Sequence, residues 1–162
     1  MTDTAKSIPG LVVDDNPVDQ HLVASHLGKI RSLKHELNLD FAGDGKEALV
    51  KLYSKPFELV ILDWELPMLG KGEVLRHLRK NGSRLPVVVI SGATPHHISP
   101  QLKALKATFL SKDQMNPDAF QSAISRALAL QDRNPSHFFE PPVAGSGTQS
   151  PDGTRRDSPG SD

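Results

Sequence analysis

Leu59-Val60-Ile61-Leu62-Asp63 is four apolar residues in an unbroken row, closed by a carboxylate. A run this short and this continuous reads as a strand buried on both faces, as in a parallel sheet. Three other stretches have the same form. Leu11-Val12-Val13 stops at Asp14-Asp15, Val87-Val88-Val89-Ile90 stops at Ser91, and Phe109-Leu110 runs through Ser111 to Lys112. Ligands of open parallel sheets gather at the carboxyl ends of the strands. Three carboxylates, one hydroxyl and one ammonium are therefore expected around one crevice.

The segments between these runs have helical period and helical punctuation. Asn16 is a natural N-cap, with Pro17 at the first helical position and Val23, Leu27 and Ile30 on one face. Leu37, Leu39 and Phe41 alternate with Asn38 and Asp40, which suits a half-exposed edge strand. A second helix follows Gly43-Asp44-Gly45, and a third carries Val74, Leu75 and Leu78 and ends at Asn81-Gly82. Pro95 and Pro100 argue against one long helix after Ser91; Pro100 is expected at a first helical position capped by Ser99. The last helix starts at Asn116-Pro117 and places Phe120, Ile124, Ala127 and Leu128 on one side. Strands alternating with helices predict a three-layer, doubly wound α/β domain with a five-stranded parallel sheet and right-handed crossovers. The domain is expected over residues 7–130, after an extension at 1–6. Proline, glycine and serine dominate 131–162, so that tail is expected to be disordered, with Phe138-Phe139 able to dock on the domain.

Composition narrows the function. The 162 residues hold 19 basic and 19 acidic side chains and no cysteine. That leaves no basic stripe for direct nucleic-acid binding, no disulfide framework and no thiolate metal site. No apolar stretch is long enough to cross a bilayer, and none at the start resembles a signal peptide, so a cytoplasmic protein with no membrane partner is expected. His96-His97 lacks a third ligand at metal spacing and reads as solvated. Arg76, Arg79 and Lys80 read as an exposed helix face.

Asp14, Asp15 and Asp63 at neighbouring strand ends would repel one another, and a hard divalent cation removes that penalty. Mg²⁺ takes oxygen ligands, keeps several waters and commonly binds one or two carboxylates plus a phosphate. A carboxylate can itself accept a phosphoryl group as an aspartyl phosphate. The transferring group's oxygens then need neutralising, which a metal, the Lys112 ammonium and the Ser91 hydroxyl can do.

The ordered motifs around Asp14-Asp15-Asn16-Pro17, Asp63-Trp64-Glu65-Leu66-Pro67-Met68, Ser91-Gly92-Ala93 and Phe109-Leu110-Ser111-Lys112-Asp113 resemble the receiver domain of two-component response regulators, over residues 7 to about 130. The resemblance implies the flavodoxin-like strand order 2-1-3-4-5. It implies Asp63 as phosphoacceptor, Mg²⁺ as cofactor, Asp15 as a direct ligand and Asp14 as a ligand through water, with Asp63 and the backbone carbonyl of Glu65 completing the set. Ser91 and Lys112 would contact the phosphoryl group, and Ser91 with Phe109 would form the conformational switch. The phosphodonor would be a phosphohistidine on a sensor histidine kinase or phosphotransfer protein, and the output a protein–protein contact with a downstream protein. With only the low-complexity tail after the domain, a stand-alone module without an enzymatic domain is expected. Two departures stand out: Leu105-Lys106 replaces a usual Gly-Ala pair, and Asp113 replaces the proline that usually follows the lysine. The alternatives are an aspartate-nucleophile, Mg²⁺-dependent phosphohydrolase, whose motif order differs, and a receiver-like scaffold that is never phosphorylated.

Overall fold

The computed structural model describes residues 7–69, 72–92 and 95–141, with the side chains of 95–97 excepted. Five parallel strands, β1 (Ser7–Val13), β2 (Glu36–Ala42), β3 (Leu59–Asp63), β4 (Val87–Ser91) and β5 (Thr108–Ser111), form one sheet in the order β2-β1-β3-β4-β5. The helices are α1 (Pro17–Gly28), α2 (Gly45–Ser54), α3 (Glu73–Lys80), α4 (Pro95–Ala104) and α5 (Pro117–Leu130). This is the expected doubly wound α/β architecture.

The side-chain period of two explains why the central runs are apolar without interruption. Ile8, Val12, Leu59, Ile61, Val88, Ile90 and Leu110 face a core closed by α1 and α5. The alternate residues Leu11, Val13, Val60, Leu62, Val87 and Val89 face a second core closed by α2, α3 and α4. Edge strand β2 is only half buried at Leu37, Leu39 and Phe41, as its alternation predicts.

Local chemistry fixes the helix starts. Asn16 accepts the Val18 N–H at 2.9 Å, and Asn116 accepts that of Ala119 at 2.8 Å. Asp44 accepts from the Glu47 N–H while Glu47 Oε1 accepts from the Gly43 N–H, each at 2.8 Å, a reciprocal cap for α2. Gly72, before α3, has φ +76°, and a Cβ there would lie 2.4 Å from the Trp64 ring, so both backbone and space require glycine.

Three expectations need correction. First, α4 begins at Pro95 and runs through Pro100, which is an interior residue and not a first position capped by Ser99. The missing N–H costs one helical hydrogen bond. Ile98 and Leu102, one turn apart, are 5% and 3% exposed against the second core, and their burial outweighs that loss.

Second, Arg79 is not on an exposed face. Its guanidinium donates to four carbonyl oxygens: Leu105 at 2.7 Å, Leu85 at 2.8 Å, and Ser83 and Lys106 at 3.2 Å. Burial pulls its pKa down to about 10. Lys106 sits at φ +54°, so the clamp holds the turn where a glycine would have been easier.

Third, packing does not stop at residue 130. Gln131 is buried, and a short 3-10 turn (Pro135–His137) delivers Phe138 and Phe139 into the core beside α1 and α5. The Lys34 N–H donates to the Phe138 carbonyl at 2.9 Å, that of Glu140 to Ser32 at 2.6 Å, and Leu33 bridges Phe139. The disorder expected for 142–162 falls outside the described residues.

Candidate functional site at the carboxyl ends of the strands

Sheet register assembles the site. Val13 of β1 pairs with Leu62 of β3, so the next residues, Asp14 and Asp63, lie side by side. Asp63 pairs with Ile90, leaving Ser91 one step further along β4, opposite Ser111 on β5. Lys112 follows immediately. Strand alternation sends Asp14, Asp63 and Lys112 toward the α1–α5 side and Ser91 toward the α4 side. Phe109 lies on that same α4 side, partly buried against the second core.

The acid cluster is close. Carboxylate oxygens of Asp14, Asp15 and Asp63 lie within 4.8 Å of one another. Asp14 and Asp63 are buried and Asp15 is exposed. Main-chain donors set the orientation of the first two: the Asn16 N–H donates to Asp14 Oδ1 at 3.0 Å and the Glu65 N–H to Asp63 Oδ1 at 3.1 Å. Gln20 ties the loop down by donating to the Asp14 carbonyl at 2.7 Å. The Lys112 ammonium reaches Asp63 Oδ2 at 3.3 Å and Asp14 Oδ2 at 3.5 Å. The second distance is long, and Asp14 Oδ2 is buried without a hydrogen-bond donor. A buried anionic oxygen with no donor beside two further carboxylates suits a hard cation.

The electrostatics record the same deficit. Burial pushes the Asp63 pKa up to about 6, with the Asp14 charge adding to it against the opposing pull of the Glu65 amide and Lys112. Burial likewise raises Asp14. For Lys112 burial works downward, but Asp19, Asp63 and Asp14 outweigh it and the ammonium is held above its ordinary range. Gly92 leaves the approach open, since a Cβ there would meet nothing within 4 Å.

All of Asp14, Asp15, Asp63, Ser91 and Lys112 thus come to one end of the sheet. Glu65 joins them through its amide, and Trp64 lies buried just after Asp63. The side chains of His96 and His97 lie outside the described residues. Sequence reasoning missed Asp19, an acidic residue in the first turn of α1. Its carboxylate is the nearest one to Lys112, at 3.1 Å. The available signal was its place one helical turn beyond Asp15, on a helix that starts where β1 ends.

A family model described as the response regulator receiver domain matches residues 11–125. The chain belongs to that family. The match runs from the end of β1 into α5 and takes in the four other strands whole. A gliding motility regulatory protein of Myxococcus xanthus is 29% identical over 125 residues, covering 75% of this chain and 15% of that protein. A protein-glutamate methylesterase/protein-glutamine glutaminase of Treponema denticola is 29% identical over 123 residues, covering 74% of this chain and 32% of its own length. The chain thus spans a third or less of these curated relatives. Among solved structures, the response regulator TrrA of Thermotoga maritima, determined with Mg²⁺ and BeF, is 27% identical with a TM-score of 0.62, over 75% of this chain and 99% of that one. The receiver domain is the phosphorelay signalling unit of two-component systems, and this chain carries one.

Proposed function

We propose that Asp63 accepts a phosphoryl group in a Mg²⁺-dependent reaction and that the resulting change in charge switches a protein–protein surface. The observation that carries this reading is the buried Asp63 carboxylate, flanked by an Asp14 oxygen without a donor and by the Lys112 ammonium at 3.3 Å. Asp14, Asp15, Asp63 and the Glu65 carbonyl would hold the cation. Bound Mg²⁺ would neutralise the acids and polarise the phosphoryl oxygens.

The side chains supply positioning and charge. An Asp63 oxygen bonds to phosphorus as the bond from phosphorus to the donor's nitrogen breaks, and that nitrogen leaves with the electron pair. The Glu65 amide restrains the carboxylate through Oδ1. Lys112 is within reach of the charge that accumulates on the transferring oxygens. Ser91 draws toward the new group on the α4 side, and the Phe109 ring on the same side follows, which is how the event reaches the surface. The donor is a phosphohistidine of a sensor kinase or phosphotransfer protein, and the receiver of the signal is a downstream protein. Chemistry at Asp63 is on the chain itself; the methylesterase relative is matched over 32% of its own length. Phosphoryl donors charged from nucleotide fit a cytoplasmic setting.

Acetyl phosphate with Mg²⁺ should add one base-labile acyl phosphate to the chain, seen by intact mass, and Asp63→Asn should abolish it. Labelling that persists in Asp63→Asn refutes the acceptor assignment. A wild-type chain that takes no label from acetyl phosphate or from a phosphorylated kinase returns the scaffold reading.

A further inference from the structure

We propose that Asp19 is a positioning residue for Lys112, holding its ammonium at the mouth of the acid pocket so that it is already in place when a phosphoryl group arrives. The proposal rests on the role of Asp63 argued above for its consequence, but not for its geometry.

Among the described residues the ammonium has three carboxylate neighbours, and two of them, Asp14 and Asp63, are the acids that a cation and a phosphoryl group would engage. Asp19 is the third and nearest, at 3.1 Å against 3.3 and 3.5 Å. It comes from α1, whereas the other two end strands. Its own position is well fixed. The Asn16 cap closes the first turn, Pro17 restricts the backbone before it, and Gln20 pins the preceding loop to the Asp14 carbonyl.

The lysine needs such a partner. It begins a short 3-10 turn (Lys112–Gln114) whose own ties are slight, an Asp113 N–H to the Ser111 hydroxyl at 3.2 Å. A lysine stem has rotamer freedom to lose when its head is fixed. An anchor that is not itself consumed by metal or phosphoryl group removes part of that loss beforehand, which is preorganisation. Both side chains are about a quarter exposed, so the effect is that of a partly screened pair, worth roughly two- to five-fold in an equilibrium.

The test uses the full chain with isotope-labelled lysine. The order of the Lys112 ε-methylene and ammonium is measured by NMR relaxation without metal. Affinity for beryllofluoride with Mg²⁺, a mimic of the bound phosphoryl group, is then read from Trp64 fluorescence. In Asp19→Asn the Lys112 order should fall and beryllofluoride should bind about two- to five-fold more weakly, with the thermal midpoint little changed. Asp19→Glu should recover part of both. Unchanged Lys112 order in Asp19→Asn overturns the proposal, and so does lower order with unchanged beryllofluoride affinity. If the wild type ignores beryllofluoride altogether, the phosphoacceptor reading fails, while the metal-free NMR comparison still decides whether Asp19 anchors Lys112.

Discussion

At the open edge of the sheet one carboxylate meets two ammonium groups; at the carboxyl end three carboxylates share one. Asp40 on β2 receives Lys51 at 2.9 Å and Lys55 at 2.7 Å, and those two hydrogen bonds hold its pKa far below the usual carboxylate range. Asp14, Asp19 and Asp63 share the Lys112 ammonium, and the buried pair among them, Asp14 and Asp63, is shifted upward. The chemical groups are the same, and the balance of charge and burial is reversed. The edge cluster contributes stability by itself. The strand-end cluster costs stability by itself, and carboxylates shifted in that way cluster at functional sites.

The largest effect expected from this contrast is a pH dependence of the metal-free domain. Asp63 has a folded pKa of about 6 against 3.8 for the free group. Between those values the native state holds more protons than the unfolded chain, so stability falls as pH rises. The contribution is complete below about pH 4 and gone above about pH 6, and amounts to at most on the order of 3 kcal/mol. Urea unfolding in EDTA at pH 4.5 and pH 7, wild type against Asp63→Asn, isolates it: the variant should lose less stability over this interval and should be the more stable protein at pH 7. Mg²⁺ should stabilise the wild type strongly at pH 7.5 and hardly at all at pH 4.5, where protons compete for the same oxygens. Equal stabilisation at both pH values would mean that the cation binds elsewhere.

Next in size is Asp14→Asn. The change removes a buried charge with an unserved oxygen and introduces an amide that can donate to Asp63. Without metal the variant should gain roughly 1–2 kcal/mol, the cost of leaving such a group unsatisfied. It should also lose most of its response to Mg²⁺ in thermal unfolding. A variant that is less stable without metal would show that Asp14 is structural.

What the sequence made readable follows from the same physics. Unbroken apolar runs with polar ends located β1, β3, β4 and β5, and the alternation of Leu37, Leu39 and Phe41 located the edge. Once four strands end in the same layer, Asp14, Asp63, Ser91 and Lys112 have little freedom to be elsewhere. The misses are cases in which a partner distant in the chain decided the outcome. Pro100 is a helix breaker by local rules, but Ile98 and Leu102 gain more by burial than one hydrogen bond costs. Arg79 carries the sequence signature of a surface residue because its partners are main-chain carbonyls, which leave no trace in composition. Asp19 lies 93 positions from Lys112, so its pairing depended on how α1 sits over the sheet. Average composition set the domain's end at residue 130, whereas Phe138 and Phe139, the apolar pair expected to dock from beyond it, do enter the core.

The smallest effect belongs to the edge, and it has the opposite sign. Asp40→Asn removes the acceptor of both Lys51 and Lys55. Because Asp40 is partly exposed and Lys55 more so, solvent screens the pairs, and the loss at pH 7 should be no more than about 1 kcal/mol. The folded pKa of Asp40 lies below its unfolded value, so the stabilisation is present above about pH 4 and disappears as pH falls through the folded pKa. The difference between wild type and Asp40→Asn in urea should therefore shrink on acidification and with added salt. The deficit of the wild type relative to Asp63→Asn should grow between about pH 4 and pH 6, and depend less on salt because Asp63 is buried. If the stability of the wild type rose with pH relative to both variants, or fell relative to both, the reversal of charge balance between edge and strand ends would not be what separates these two clusters.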